Sequence, residues 1–249
     1  MSKLGELAGG RGTGVSGGRS GNRVGGSKKP SLVEDAYRAL KEAIRENVFP
    51  PGYQGSEQEI ALKLNMSRTP VHEAIIRLQE EGLIRVLAKR GVVICAISPE
   101  DMREIYDVII ACESMAAELM AAMEPDDKRM ALAAELAVIN DMMAAALQRD
   151  DLTAWAKADE QFHQSLVERC GNARIARVAQ TIMDQSHRAR MLTLRLRPKP
   201  TQSVAEHAAI IEAIRSGDVD AARETARAHR NRARNEIIPL LAQLGMTYL

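Results

Sequence analysis

The chain has 249 residues, of which 45% are hydrophobic, 27% charged and 3% aromatic. This composition is typical of a soluble globular protein with a sizeable core. So few aromatic residues argue against modules that stack nucleic-acid bases on aromatic side chains. We find no apolar stretch that predicts a transmembrane helix or a secretory signal. Three widely spaced cysteines, Cys95, Cys112 and Cys170, predict core residues in a reducing cytoplasm rather than a disulfide framework.

Charge is distributed unevenly along the chain. The formal net charge is +1, but residues 1–30 carry +5, residues 31–97 are neutral and residues 98–249 carry −4. Residues 1–30 also contain ten glycines, which predicts a flexible tail that makes at most a weak, salt-sensitive contact with phosphate. The basic residues 1–30 are therefore suited to contact with a polyanion, whereas the acidic residues 98–249 are suited to a different function.

Residues 31–97 show the pattern of three helices followed by a hairpin. Capping-box sequences at 31–34 and 56–59 predict the starts of two helices, and a third helix is predicted from Ser67 to Gly82. Two β-prone runs between residues 84 and 97 predict the hairpin. This order indicates a winged helix-turn-helix domain, in which the start of the third helix enters the major groove of DNA.

Candidate DNA contacts lie at the start of the third helix and at the hairpin tip. Ser67, Arg68 and Thr69 open that helix with side chains that bond phosphates or base edges. Arg90 lies where a wing reaches an adjacent minor groove or phosphate. Taken singly, these residues are better explained as helix caps and solvated charges. Together and in this order, they favour a DNA-binding surface.

A longer set of motifs spans this region: Pro51-Gly52, Glu57-Gln58-Glu59-Ile60-Ala61, Ser67-Arg68-Thr69-Pro70-Val71-His72-Glu73-Ala74, Arg77-Leu78, Glu81-Gly82-Leu83-Ile84 and Arg90-Gly91. With these motifs, the region resembles the DNA-binding domain of the GntR family of transcription regulators. The resemblance implies that Ser67, Arg68, Thr69, Arg90 and Gly91 contact DNA. His72 stands where the family usually has arginine, and we expect it to donate to a phosphate or a guanine without the bidentate arginine fork.

The remainder of the chain, residues 98–249, has helical periodicity throughout. Helix-capping signals at Ser98-Pro99 and at Gly217-Asp218 mark two of the boundaries, and a further capping box is predicted at 203–206. We predict an all-α bundle of about six helices. Their predicted ranges are 99–123, 125–147, 151–169, 173–195, 203–216 and 218–243.

Three histidines and one aspartate of this bundle form a candidate metal site. Asp159 and His163 are four residues apart and share one helix face, while His207 and His229 lie on apolar faces of two other helices. Imidazoles with one carboxylate suit a borderline divalent metal ion. Ordinary buried core histidines are the alternative interpretation. His187 lacks such neighbours in sequence and is expected at the surface or on a pocket wall.

The bundle sequence contains the motifs Asp159-Glu160-Gln161-Phe162-His163, Gly171-Asn172, Glu206-His207 with Ile211, Ala213 and Asp218, and Ala228-His229. With these motifs, residues 98–245 resemble the FCD effector domain of the FadR branch of the GntR family. The resemblance implies that Asp159, His163, His207 and His229 bind a divalent metal. Zn²⁺ and Ni²⁺ fit best, while Mn²⁺ and Fe²⁺ stay open. It also implies a small organic acid as effector, whose carboxylate completes the coordination of the metal.

One departure from the family concerns the acid. Many members have arginine on the first effector helix, four residues before a glutamate, where this chain has Ile109 before Glu113. Without that guanidinium, the first effector helix lacks a side chain that binds a carboxylate through two parallel hydrogen bonds. We therefore expect an effector that is smaller, or less acidic, or held in the effector pocket by another residue such as Arg188 or Arg190.

These observations predict a three-part chain: a flexible tail (1–30), a DNA-binding domain (31–97) and an effector-binding and dimerisation domain (98–249). The expected protein is a homodimeric, non-membrane transcription regulator, most simply a repressor, that binds a near-palindromic operator on double-stranded DNA. Two alternatives stay open. One is a DNA-binding protein without an effector, and the other is a metalloenzyme, which the single E-x-x-H pair at Glu160 and His163 disfavours.

Overall fold

The computed structural model describes residues 31–88 and 90–245, so the tail predicted for residues 1–30 lies outside the described part. The described chain begins with three helices and a small sheet. These elements are α1 (Leu32–Arg45), β1 (Gln54–Gly55), α2 (Glu57–Lys63), α3 (Arg68–Glu80), β2 (Ile84–Leu87) and β3 (Gly91–Ile94). Six helices follow: α4 (Pro99–Ala121), α5 (Asp126–Gln148), α6 (Leu152–Arg169), α7 (Ala173–Thr193), α8 (Thr201–Ser216) and α9 (Val219–Gln243).

The predicted fold class is therefore confirmed: a winged helix-turn-helix is followed by a bundle of helices. The core of the winged helix is formed by apolar side chains that recur at helical spacing on α1 and α3. Leu40 and Ile44 of α1 and Ile75 and Leu78 of α3 are fully buried there. This packing fixes the start of α3 relative to the sheet.

The sheet contains one strand more than the sequence predicts. Its order is β1-β3-β2, and both pairs are antiparallel. The two residues of β1 pair with Val92 and Val93 of β3. A two-residue strand has no periodic pattern, so only its pairing partner reveals it. Its effect is to attach the hairpin to the chain segment that leads into α2.

Helix starts follow the capping signals at most positions. Ser56 with Glu59 and Ser98 with Asp101 form complete capping boxes. Ser31 caps α1, but the carboxylate of Glu34 binds Arg38 and Arg77 instead of completing the box. The box predicted at 203–206 is wrong, because α8 begins two residues earlier, after Pro200, and Ser203 and Glu206 lie inside the helix.

The bundle core contains α5, which is long and apolar enough to cross a membrane by length and composition alone. Its Leu132, Leu136 and Met143 pack against the other bundle helices and are buried. The core helix of a soluble protein meets the same criteria, so α5 does not indicate a membrane protein. Cys170 lies in this core as predicted and Cys112 packs against it, whereas Cys95 is half-buried next to β3.

Ion pairs join α1 of the winged helix to α6 and α7 of the bundle. The carboxylate of Asp184, which is 7% exposed, lies 2.7 Å from Lys41 Nζ and 3.1 Å from Arg45 Nε. Arg45 also pairs with Glu160 of α6. We call Arg45, Glu160 and Asp184 the junction triad. It links the helix that supports the DNA-binding core to the helix that carries Asp159 and His163.

His187 is buried at the same junction, where it is 1% exposed. Its Nδ1 lies 3.3 Å from Glu160 Oε2, and its Nε2 lies 3.5 Å from Glu46 Oε1. Burial, together with the nearby Arg190 and Arg45, lowers the pKa of His187 to about 3. The expectation of a surface position is wrong, because the sequence of α7 does not reveal that α1 packs over it.

Gly91 provides a test of the sheet geometry. Its φ is +86°, and a Cβ built on it would lie 2.5 Å from the carbonyl oxygen of Gly55 in β1. Gly82 is the matched control, since its φ is +72° but the nearest atom to its added Cβ is 3.9 Å away. We expect Gly82→Ala to cost about 1–2 kcal/mol of stability from the backbone alone. Gly91→Ala should cost clearly more, as measured by urea denaturation, and equal losses would contradict the close β1–β3 contact.

Candidate DNA interface and metal centre

The start of α3 presents three polar side chains to solvent. Ser67 is the N-cap residue, and within the described chain its hydroxyl makes no capping bond. Arg68 and Thr69 occupy the first turn and are also exposed. Free hydroxyls and a guanidinium at a helix N-terminus suit phosphate oxygens and base edges. The three residues predicted at this end of α3 therefore lie together and are accessible.

Glu57 of α2, which the sequence analysis did not single out, orients two of the predicted contacts. Its carboxylate accepts a bond from Arg68 Nε at 3.2 Å and lies 2.8 Å from His72 Nδ1. The hydrogen bond from His72, followed by that from Arg68, lowers the pKa of Glu57. His72 is thereby held on the exposed side of α3 beside Arg68. The pairing depends on the turn between α2 and α3, which periodicity does not define.

The hairpin tip carries Arg90 and Gly91. Arg90 is exposed, and its carbonyl oxygen accepts a bond from Gln54 Nε2 at 3.0 Å. Gly91 allows the left-handed backbone and the close approach to β1 described above. The geometry thus explains why glycine occupies position 91, and it leaves Arg90 exposed at the tip of the hairpin.

In the bundle, three histidines bring their Nε2 atoms to one point. His163 of α6, His207 of α8 and His229 of α9 are all buried. His229 Nε2 lies 3.1 Å from His207 Nε2 and 3.3 Å from His163 Nε2. Asp159 Oδ1 lies 3.8 Å from His163 Nε2 and 4.0 Å from His207 Nε2. All four residues predicted as metal ligands therefore meet between three helices.

The outward-facing nitrogens of two of these rings are bound to carboxylates. His163 Nδ1 lies 3.0 Å from Glu113 Oε2, and His229 Nδ1 lies 2.7 Å from Glu206 Oε2. Arg230 makes two hydrogen bonds to Glu113, and Arg232 makes two to Glu206. Burial alone would raise the pKa of both carboxyls. Instead Arg230 and His163 hold the pKa of Glu113 well below its usual range, and His229 and Arg232 lower that of Glu206 to about 2.

These carboxylates fix the tautomers of His163 and His229. An ionised carboxylate only accepts hydrogen bonds, so each Nδ1 carries the proton. Burial lowers the pKa of His229 to about 4, so that ring is neutral and its Nε2 presents a lone pair 3.3 Å from His163 Nε2. Burial, followed by the neighbouring imidazoles, lowers the pKa of His207, which keeps that ring neutral as well. A buried cluster of imidazole nitrogens of this kind is suited to a cation.

The spacing of the nitrogens fits a metal ion. A tetrahedral Zn²⁺ with Zn–N bonds of about 2.0–2.1 Å separates its nitrogen ligands by about 3.3–3.4 Å. The Nε2 separations of 3.1 and 3.3 Å are close to that value. Carboxylate partners on the far nitrogen of metal-binding histidines are a common means of orienting the ring. His163, His229, His207 and Asp159 therefore form a donor set suited to a borderline divalent metal.

His207 differs from the other two ligands. Its Nδ1 is buried and has no hydrogen-bond partner among residues 31–88 and 90–245. Its ring is instead stacked on Phe162, with centroids 4.0 Å apart and an interplanar angle of 4°. Packing rather than hydrogen bonding therefore orients His207.

The two candidate pocket arginines are directed to different places. Arg190 Nη1 donates to Asp159 Oδ2 at 2.7 Å, which places its guanidinium at the candidate metal site. Arg188 Nη2 donates to the carbonyl oxygen of Cys95 at 2.7 Å, at the junction with the winged helix. Because Arg188 and Arg190 are two residues apart on a helix, their side chains point to different sides.

Ile109 is buried in an apolar cluster with Tyr106, Ala189 and Ile237. The guanidinium that pairs with the Glu113 carboxylate belongs to Arg230 of α9 and not to a residue of α4. The sequence analysis missed Arg230 because the pairing joins residues 117 positions apart. Its only signal in the sequence is its place next to His229.

The winged helix and the exposed start of α3 indicate a DNA-binding protein. Residues 32–94 match the gntR family of bacterial regulatory proteins, and residues 104–232 match the FCD domain. The chain belongs to the GntR family and carries an FCD domain.

Similar proteins agree with this assignment. An HTH-type transcriptional regulator in the TAR-I ttuE-ttuC' intergenic region of Agrobacterium vitis is 55% identical over 54% of this chain and 78% of its own length. The gluconate operon transcriptional repressor of Bacillus subtilis is 26% identical over 77% of this chain and 79% of its own length. The crystal structure of a transcriptional regulator GntR from Rhodococcus sp. RHA1 covers 84% of this chain and 99% of its own. It has a TM-score of 0.69 at 22% identity, which shows the shared fold.

Replacing Arg68 tests the DNA interface. We expect Arg68→Ala to weaken binding to a specific DNA site by about 10- to 100-fold, because a bidentate base contact contributes about 1–3 kcal/mol. Fluorescence anisotropy with DNA selected by the wild-type protein from a random pool measures the change. The control is Arg103→Ala, which removes an equally charged, exposed side chain from α4. Equal affinities of the two variants would exclude Arg68 from the interface.

Replacing Glu206 tests the orientation of His229. We expect Glu206→Ala to lower Zn²⁺ affinity by about 10- to 100-fold, because the ring loses the acceptor that fixes its tautomer. Competition with a chromogenic chelator measures this affinity. Glu212→Ala on the same helix is the control, since Glu212 is exposed and pairs only with Arg215 among the described residues. An effect of less than twofold for Glu206→Ala would contradict the role of the Glu206–His229 pair.

Proposed function

We propose that this protein is a homodimeric transcription regulator of the FadR branch, whose affinity for a near-palindromic operator is set by a metal-bound small carboxylate. Two-fold symmetry in the protein matches two half-sites in the DNA. Repression is the proposed direction, since the relative from Bacillus subtilis is named as a repressor. A protein acting on bacterial operators works in the cytoplasm.

The observation that carries this proposal is the convergence of three imidazole Nε2 atoms and one carboxylate in a buried site. His163, His207, His229 and Asp159 would hold a divalent metal, with Zn²⁺ or Ni²⁺ preferred. When bound, the metal supplies a Lewis-acidic position for a carboxylate of the effector. Asp159 is already held by Arg190, so its Oδ1 is turned towards the imidazoles at no further conformational cost.

The route from this site to the DNA-binding surface is short. Asp159 and Glu160 are neighbours on α6, but Asp159 faces the imidazoles while Glu160 pairs with Arg45 of α1. On α7, Arg190 binds Asp159 and Asp184 binds Arg45. A change in the position of Asp159 therefore moves residues that hold α1. Because α1 and α3 share one core, the change reaches the start of α3.

Such coupling requires only that the ligand binds one arrangement of the junction more tightly than the other. Couplings of this kind commonly change affinity by about 5- to 150-fold. The junction triad is largely buried, and breaking one partner of a buried ion pair leaves the others uncompensated. The triad is therefore suited to two discrete arrangements rather than to gradual movement.

The test compares operator binding with and without metal. Anisotropy with wild-type-selected DNA should give Kd values that differ at least fivefold between the Zn²⁺-loaded protein with acetate and the chelator-treated protein. In Glu160→Gln the difference should shrink to less than twofold, because the link from α6 to α1 is weakened. The control Glu168→Gln, on the same helix and exposed, should behave as wild type.

Two results would contradict the proposal in different ways. Wild-type protein that binds no Zn²⁺ or Ni²⁺ would remove the metal site and leave only the DNA-binding role. Metal-bound protein in which Glu160→Gln keeps the full difference would remove the junction triad from the coupling.

A further inference from the structure

The imidazole of His72 on α3 is bound at one nitrogen only. Its Nδ1 lies 2.8 Å from Oε1 of Glu57 on α2. Within residues 31–88 and 90–245, this is the one hydrogen bond that the ring makes, and the side chain is 53% exposed. The Nε2 atom, at the opposite edge of the ring, is therefore accessible to a partner outside the chain.

The carboxylate of Glu57 is occupied on both oxygens by α3. Its Oε2 accepts a bond from Arg68 Nε at 3.2 Å, and its Oε1 faces His72. The bond from His72 is the main reason why the pKa of Glu57 is lowered, so this carboxyl is ionised near neutral pH. An ionised carboxylate only accepts hydrogen bonds. The hydrogen between Glu57 and His72 therefore belongs to Nδ1.

The proton on Nδ1 decides what Nε2 can bind. A neutral imidazole has one N–H and one lone pair, on different nitrogens. With the N–H held by Glu57, Nε2 of the neutral ring is a hydrogen-bond acceptor. In the major groove guanine presents only acceptors, and thymine presents an acceptor and a methyl group. The groups that can donate to Nε2 are the amino groups of adenine and cytosine.

The location of His72 on α3 places this acceptor beside a donor. Arg68 and His72 are four residues apart, so they share one face of the helix. Arg68 lies in the first turn, which is the part of a recognition helix that enters the major groove. Because Arg68 binds Glu57 through Nε, its two Nη groups stay available for a guanine. His72 follows one turn later on the same face.

We propose that Glu57 fixes His72 as a hydrogen-bond acceptor, which reads the amino group of an adenine or a cytosine in the major groove of the operator. This rests on the proposed function, in which the start of α3 enters the operator. The acceptor role differs from the donor role that the sequence predicts for His72. The difference arises because the contact with Glu57 joins two helices and has no signal in the sequence of α3.

The experiment measures binding of the full-length protein to DNA at about pH 8.5, where an ordinary imidazole is neutral. DNA is first selected by the wild-type protein from a random pool. The base pair at which His72→Ala loses its base preference is the pair that His72 reads. At this pair, 2-aminopurine in place of adenine, or 2-pyrimidinone in place of cytosine, removes the amino group from the major groove. We expect this change to weaken wild type about fivefold or more, and His72→Ala less than twofold.

A 7-deazapurine at the same base pair is the matched DNA control. It removes the N7 acceptor and keeps the amino group, so it should weaken wild type less than twofold. The opposite pattern, a loss with 7-deazapurine and none without the amino group, would show that Nε2 donates and would overturn the inference. A selected DNA with no position at which His72→Ala changes the base preference would overturn it as well.

Replacing Glu57 tests the cause of the acceptor role. In Glu57→Gln the side-chain amide can donate to Nδ1 as well as accept from it, so the tautomer is no longer fixed. The effect of removing the amino group should fall to less than twofold. Each effect is a ratio between two DNAs in one protein, so a general change in affinity cancels. Glu100→Gln is the control, since it removes an exposed carboxylate from α4 and should keep the full effect. A full effect in Glu57→Gln would contradict the role of Glu57.

The tautomer can also be measured without DNA. Nuclear magnetic resonance of the imidazole nitrogens, with the His72 signals identified by their loss in His72→Ala, should show a protonated Nδ1 and a bare Nε2 at about pH 8.5. A proton on Nε2 in the neutral ring would overturn the inference. Failure of the proposed function is distinguishable, because a protein that selects no specific DNA would remove the operator itself. A specific operator without an amino-group requirement would remove only the role of His72.

Discussion

Three imidazole Nε2 atoms that meet in a buried site are the feature around which the rest of the bundle is arranged. Glu113 and Glu206 hold the protons of His163 and His229 on the outer nitrogens, so the inner nitrogens are left to face each other. Arg230 and Arg232 keep those carboxylates ionised. The arginines therefore hold the carboxylates, and the carboxylates orient the imidazoles. In the proposed function, a divalent metal completes this innermost layer.

Ion pairs also connect the candidate metal site to the surrounding helices. Acidic residues in the bundle bind arginines at two places, around the histidines and at the junction with α1. Asp159 and Glu160 stand at the boundary between these two networks, since they are neighbours that face different ones. Buried ion pairs contribute little net stability compared with apolar packing, but they permit few alternative arrangements. Such networks suit a regulator, which needs two defined states more than it needs maximal stability.

The sequence predicted the helices well because their signals are local. Ser56, Ser98 and Asp218 cap helices where expected, and apolar spacing defined the rest. Local patterns failed where a tertiary partner decides. Glu206 looked like part of a capping box but binds His229, and β1 exists only because β3 pairs with it. His187 is buried only because α1 covers α7.

The candidate site shows the same difference between residues with local signals and residues whose role depends on a distant partner. Asp159 and the three histidines were predicted by spacing and by resemblance, whereas Glu113 and Arg230 were not, because their partners are distant in sequence. Zinc-edge X-ray absorption on the Zn²⁺-loaded protein tests the central claim most directly. The account predicts three imidazole nitrogens and at least one carboxylate oxygen at about 2.0–2.2 Å. A spectrum of hydrated zinc, or one with fewer than three imidazoles, would contradict it.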